Sequence, residues 1–96
     1  LNKKEIEIVL KKGKKYSSIN FLLFYFPFNE LKVSPIVSKK VSKKAVIRNR
    51  IKRRVRNIAK ELLKKGGYAI VVKNDISNTD FQDLKYEFKK LINKIS

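Results

Sequence analysis

The sequence predicts an α+β fold, a single-domain α/β sandwich whose elements run helix, strand, strand, helix, strand, helix. Three observations carry this. Apolar residues recur at helical spacing in three stretches, and between them stand short runs with strand character. The chain has 96 residues, enough for one modest core. Its apolar fraction, 43%, is close to that of an ordinary globular domain and unlike that of a disordered tail.

Residues 2–12, NKKEIEIVLKK, read as a short helix with Ile6, Val9 and Leu10 on one face. Lys11 and Lys12 suit its negative C-terminal end, and Gly13 is a natural stop. Residues 19–28, INFLLFYFPF, read as an aromatic strand: Phe21, Leu23 and Tyr25 point one way, Leu22, Phe24 and Phe26 the other. After a turn at residues 27–30, residues 31–39 form a second strand, expected antiparallel to the first. Pro35 cannot donate a ladder hydrogen bond, so this strand belongs at an edge or carries a bulge.

Residues 43–65 read as a long helix along the stripe Ile47, Ile51, Val55, Ile58 and Leu62, ended by Gly66-Gly67. YAIVV at 68–72 has the unbroken apolar character of a buried strand. TDFQ at 79–82 reads as a capping box, with Thr79 as N-cap and Gln82 reaching back. The last helix buries Phe81, Leu84, Phe88, Leu91, Ile92 and Ile95. Tyr86 lies off that stripe and reads as an ordinary surface tyrosine. Helices must cover at least one face of the three or four strands, and the other is expected to stay partly open.

The chain has no cysteine and no histidine. That removes disulfides, thiolate metal sites and the commonest general base. No apolar run reaches the ~20 residues of a membrane span, and no signal-peptide pattern opens the chain. The expected setting is therefore soluble and cytoplasmic. The formal net charge of +17 is extreme for one small domain, and self-repulsion opposes its folding. A polyanion relieves it, nucleic acid first and an anionic membrane surface second.

All five arginines lie within RNRIKRRVR, residues 48–56, while the other twenty cations are lysine. With the apolar stripe inward, Asn49, Lys52, Arg53, Arg56 and Lys60 fall roughly opposite, and Arg48, Arg50 and Arg54 flank it. No acidic residue stands between Glu30 and Glu61, so no acid one turn away relieves the repulsion. Guanidinium forks bind phosphate through two hydrogen bonds and stack on bases, which ammonium groups do not. Asn49 adds a group that both donates and accepts. The pattern points to nucleic-acid contact rather than a merely solvated face.

SKKVSKKAVIRNRIKRRVR, residues 38–56, closely resembles the signature of the bacterial ribonuclease P protein subunit. The Arg48-Asn49-Arg50 core, Ala45-Val46 before it and Ile51-Lys52-Arg53 after it all fit, as does the order of elements around them. The resemblance implies a protein that assists a catalytic RNA in Mg²⁺-dependent removal of the 5′ leader from precursor tRNA. It implies that Mg²⁺ is held mainly by RNA, with no catalytic residue and no metal ligand on the protein. It assigns contact with the catalytic RNA to Lys39, Lys40, Lys43, Lys44, Arg48, Asn49, Arg50, Lys52, Arg53 and Arg56. It assigns the leader cleft to Ile6, Leu10 and Phe24, of which only Phe24 is aromatic here. Core packing accounts for Ile6 and Leu10 equally well. No membrane and no obligate protein partner are implied. The family also has a left-handed crossover between the second strand and the strand after the helix, against the general right-handed rule. Where the family usually has an Arg-x-Gly step entering its second strand, this chain has Lys32-Val33-Ser34 and then Pro35.

Two other readings compete. A small basic ribosomal protein has the same charge and size. A protein nuclease could draw Mg²⁺ to Asp75, Asp80 and Asp83. However, Asp80 and Asp83 open a helix, where acids meet the dipole favourably, and Asp75 stands in a turn sequence.

Overall fold

Alternating side chains on four strands divide the molecule into a closed layer and a half-open one. The computed structural model describes residues 2–95. Its elements are α1 (Lys3–Lys12), β1 (Lys14–Ser17), β2 (Phe21–Phe26), β3 (Leu31–Ile36), α2 (Ala45–Leu62), β4 (Gly66–Val72) and α3 (Phe81–Ile95). The strands form one mixed sheet in the order β1-β2-β4-β3. β2 runs antiparallel to both β1 and β4, and β3 runs parallel to β4.

The inner face carries Tyr16, Leu23, Ile70 and Pro35 in one row and Tyr25, Tyr68 and Val33 in the next. α2 and α3 cover it. Ile51, Val55, Ile58 and Ala59 of α2 and Leu84, Phe88 and Leu91 of α3 are buried against Phe21, Leu23, Ile70 and Val72. Phe21 and Phe88 meet edge to face, with ring centroids 5.4 Å apart. Burial of such side chains is worth roughly 1.5–3 kcal/mol each.

α1 lies on the opposite face, against β2 and β4. Asn2 and Glu5 form a reciprocal capping box at its start, and Gly13 ends it. Val9 is fully buried beneath it. Gly67 makes room here: a Cβ would strike the Phe28 ring and press on Val9. Glu5 also pairs with Lys32 of β3 at 2.6 Å, which fastens α1 across the sheet.

Several expectations need correction. A fourth strand, β1, precedes the aromatic strand. β2 and β3 run in opposite directions, but β4 is inserted between them, so residues 27–30 do not close a hairpin. β3 is an edge strand, which suits Pro35. α2 ends at Leu62 with Leu63 as its cap, not at the glycines. Gly66 instead opens β4 at φ 143°, left-handed space that favours glycine, where a Cβ would meet the Tyr25 ring. The cap of α3 is Asp80 rather than Thr79: its carboxylate accepts from the Gln82 and Asp83 N–H groups. Among the described residues, no helix is long and apolar enough to cross a membrane.

Candidate nucleic-acid interface

The inward stripe of α2 turns the rest of its surface to solvent. Asn49, Arg50, Arg53, Arg56 and Lys60 are exposed, and Arg48 and Lys52 are half-buried. No hydrogen bond or ion pair among the described residues engages the side chains of Arg50, Arg53 or Arg56. The single acid on the helix, Glu61, is held by Lys85 of α3 at 2.7 Å. The other ion pair among the described residues is Lys32–Glu5, so neither neutralises an arginine. The result is an uncompensated cationic face, which raises the local concentration of anions.

The segment before α2 extends this face. Lys39, Lys40, Lys43 and Lys44 are all exposed. Lys44 occupies the N-cap position and gives no side-chain cap, and no acid stands in the first turn. The positive end of the helix dipole therefore adds to the attraction that these lysines exert on an anion. Arg48 donates to the carbonyl of Ser42 at 2.9 Å, which orders the approach to the helix. Val46 is 78% exposed beside these cations. The absence of Ser, Thr, Asp or Asn at position 44 was the sequence signal for the uncapped start.

Arg54 departs from the pattern. Its Nη1 donates to the Ser77 carbonyl at 2.8 Å and its Nη2 to the Thr79 carbonyl. Its guanidinium lies 5.8 Å from the centre of the Phe81 ring. Thus not all five arginines face outward: this one ties α2 to the loop entering α3.

The open side of the sheet offers a different surface. Phe24 shares its face with Leu22, Ala69, Val71, Ser34 and Ile36, the face on which α1 packs. Phe24 and Ile6 are half-buried, and Leu10 is 38% exposed. The row Ser17, Leu22, Val71 and Ile36 keeps partial exposure throughout. All three residues expected at a cleft therefore belong to one side of the molecule, away from the layer that carries α2.

The acidic residues make no comparable site. Asp75 accepts from the Ser77 N–H at 2.9 Å, and the Ser77 hydroxyl and N–H hold its pKa below the ordinary carboxylate value. Asp80 caps α3. Among the described residues, no group of three acids or other ligands is placed to hold a metal ion.

Fold and surface together define a small basic α+β protein with an exposed cationic helix face. The family model described as Ribonuclease P matches residues 1–96. The ribonuclease P protein component of a Nitratiruptor species is 33% identical over 96 residues, spanning 97% of this chain and 87% of its own. That of Rickettsia bellii is 35% identical over 105 residues, spanning 95% and 88%. The solved RNase P protein of Thermotoga maritima has the same fold, with a TM-score of 0.85 at 20% identity, covering 100% of this chain and 96% of that one. The Staphylococcus aureus RNase P protein gives a TM-score of 0.81 at 18% identity, covering 100% and 93%.

The chain belongs to the ribonuclease P protein family, whose members are the protein component of a tRNA-processing endoribonuclease. This membership decides against the ribosomal-protein alternative.

Proposed function

We propose that α2 and the lysines before it grip the catalytic RNA of ribonuclease P, while the open side of the sheet receives the single-stranded 5′ leader of precursor tRNA. The observation that carries this reading is the set Arg50, Arg53 and Arg56, exposed on a helix whose one acid is paired elsewhere. Lys39, Lys40, Lys43, Lys44, Arg48, Asn49 and Lys52 complete the contact. Leader bases stack on Phe24, with Ile6 and Leu10 as apolar walls.

Bond cleavage belongs to the RNA in this reading, and the protein alone is inactive. Mg²⁺ is assigned to RNA phosphates in this reading, and the protein's part is to bind and position. It neutralises phosphate repulsion where the RNA and substrate meet, and it holds the leader in one register. Its setting is the cytoplasm, and no membrane or obligate protein partner is involved.

The test is cleavage of precursor tRNA by the cognate RNA at low Mg²⁺, with and without this protein. Stimulation by the protein, and no cleavage by protein alone, is the expected result. Absence of stimulation contradicts the proposal.

A further inference from the structure

At the sheet edge away from α2, two large apolar side chains stand in solvent. Ile19, in the turn between β1 and β2, is 83% exposed, and Tyr86, on the outer side of α3, is 62% exposed. Both line a shallow groove of about 320 Å³ together with Ser18, Glu87, Lys90 and Lys94. α3 packs on β1 while α2 packs on β3, so the groove and the arginine face lie at opposite edges of the same helical layer.

The turn that carries Ile19 is fastened from two sides. Glu87 of α3 accepts from the Asn20 N–H at 2.8 Å, from Asn20 Nδ2 at 2.7 Å and from the Ser18 hydroxyl. After β4, Lys73 Nζ donates to Ser17 Oγ at 2.6 Å and to the Ser18 carbonyl at 2.7 Å. Asn74 Nδ2 donates to the Ile19 carbonyl at 3.1 Å. An isoleucine at the tip of so constrained a turn cannot fold back to hide its side chain. It is held outward, as a pre-organised contact is.

The groove is of mixed charge: Lys90 and Lys94 line it together with Glu87, whose hydrogen bonds come from neutral groups and fix its carboxylate against the turn, and Asp83 lies one turn before Tyr86. Lys90 Nζ lies 4.6 Å from the centre of the Tyr86 ring. An exposed aromatic, an apolar neighbour and flanking ammonium groups are the parts of a single-strand nucleic-acid site. Apolar patches rimmed by charge mark interaction surfaces.

We infer that this groove is a second RNA contact, in which an unpaired base of the ribonuclease P RNA stacks on Tyr86 and Ile19 while Lys90 and Lys94 meet its flanking phosphates. The RNA subunit fits better than the leader, because α3 shares a layer with α2 and the Phe24 face lies on the far side of the sheet. The inference rests on the reading that α2 binds that same RNA.

The test is equilibrium binding of the full chain to the ribonuclease P RNA across a salt series. Tyr86→Ala and Ile19→Ser each weaken binding, Tyr86→Ala by about fivefold to a hundredfold, the range that loss of one stacked base implies. Tyr86→Phe keeps the ring and keeps the affinity. Lys90→Ala with Lys94→Ala lowers the log–log salt slope by about 1–2. Melting curves verify folding, and Ile19→Ser at the turn tip stands in should Tyr86→Ala fail to fold. Arg50→Ala is measured in parallel. If it weakens binding while Tyr86→Ala and Ile19→Ser do not, the groove assignment is overturned and the reading of α2 stands. If none of the three weakens binding, both fall. Unchanged RNA affinity with altered self-association, or with loss confined to precursor tRNA, also overturns the assignment.

Discussion

Arg54 donates a 2.8 Å hydrogen bond to the carbonyl of Ser77, so one guanidinium of the arginine cluster serves the fold itself. Ser77 is buried, and its segment leads into the Asp80 cap of α3. Arg54 thereby couples α2 to the loop entering α3, while the exposed arginines remain available to an outside anion. Arg54→Ala should lower unfolding free energy by about 1.5–3 kcal/mol, the range for hydrogen bonds to a charged donor. Urea denaturation measures this. RNA affinity per folded molecule should change less than for Arg50→Ala. Unaltered stability with abolished RNA binding contradicts the division.

Anions should stabilise the isolated chain. With a net charge of +17 and, among the described residues, no ion pair on the arginine face, the native state should bind sulfate or phosphate more strongly than the unfolded chain does. Melting in sulfate should occur at higher temperature than in chloride of equal ionic strength. Sulfate also acts through exclusion from protein surfaces. The specific part is therefore the gain that shrinks when Arg50 and Arg53 are both replaced by alanine. Equal gains in both proteins contradict a native anion site at these residues.

Phe24→Ala should separate leader recognition from the rest of binding. In the assembled ribonucleoprotein, affinity for leader-bearing precursor should fall by about 1–3 kcal/mol more than affinity for mature tRNA. Leu10→Ser should show the same selectivity at smaller size, with little effect on folding, since Leu10 is 38% exposed. Competition binding with the two RNAs measures both. Equal losses for precursor and mature tRNA remove Phe24 from the cleft.

The Glu5–Lys32 pair gives the fold a pH dependence of definite sign. The Asn2 N–H and then the Lys32 ammonium hold Glu5 below its ordinary pKa of 4.5. A carboxyl lowered on folding stabilises above its unfolded value, and that contribution fades as pH falls below 4.5 through the folded one. Glu5 in turn raises Lys32 above 10.5, so its contribution is present below that pH and fades as pH rises through the raised value. Glu5→Gln should therefore flatten the acid limb of the stability profile. Identical acid limbs for the two proteins contradict an ion pair that anchors α1.

The helical stripes were legible because their burial follows from one local rule. Ile51, Val55 and Ile58 are buried as their spacing requires, and so are Leu84, Phe88 and Leu91. β1 was not legible. KKYS has only Tyr16 to turn toward the core, and its lysines suit an exposed edge rather than a hydrophobic pattern. The insertion of β4 between β2 and β3 was hidden as well, because adjacent strands joined by a short turn usually pair. The cationic face could be read from the arginine positions and the missing acids. The inward turn of Arg54 could not, since its partners are backbone carbonyls more than twenty residues away. Tyr86 was legible only as exposed. Its companion Ile19 comes from a turn in another part of the chain, and only the fold brings them together.

The most direct measurement is RNA affinity for a chain with Arg50, Arg53 and Arg56 all replaced by alanine. These side chains make no internal hydrogen bond or ion pair among the described residues, so the melting temperature should hold or rise. Binding to the ribonuclease P RNA should weaken steeply, and the log–log salt slope should fall by about 2–3 as those phosphate contacts are lost. An unchanged dissociation constant and salt slope, in a protein that still folds, would contradict the account.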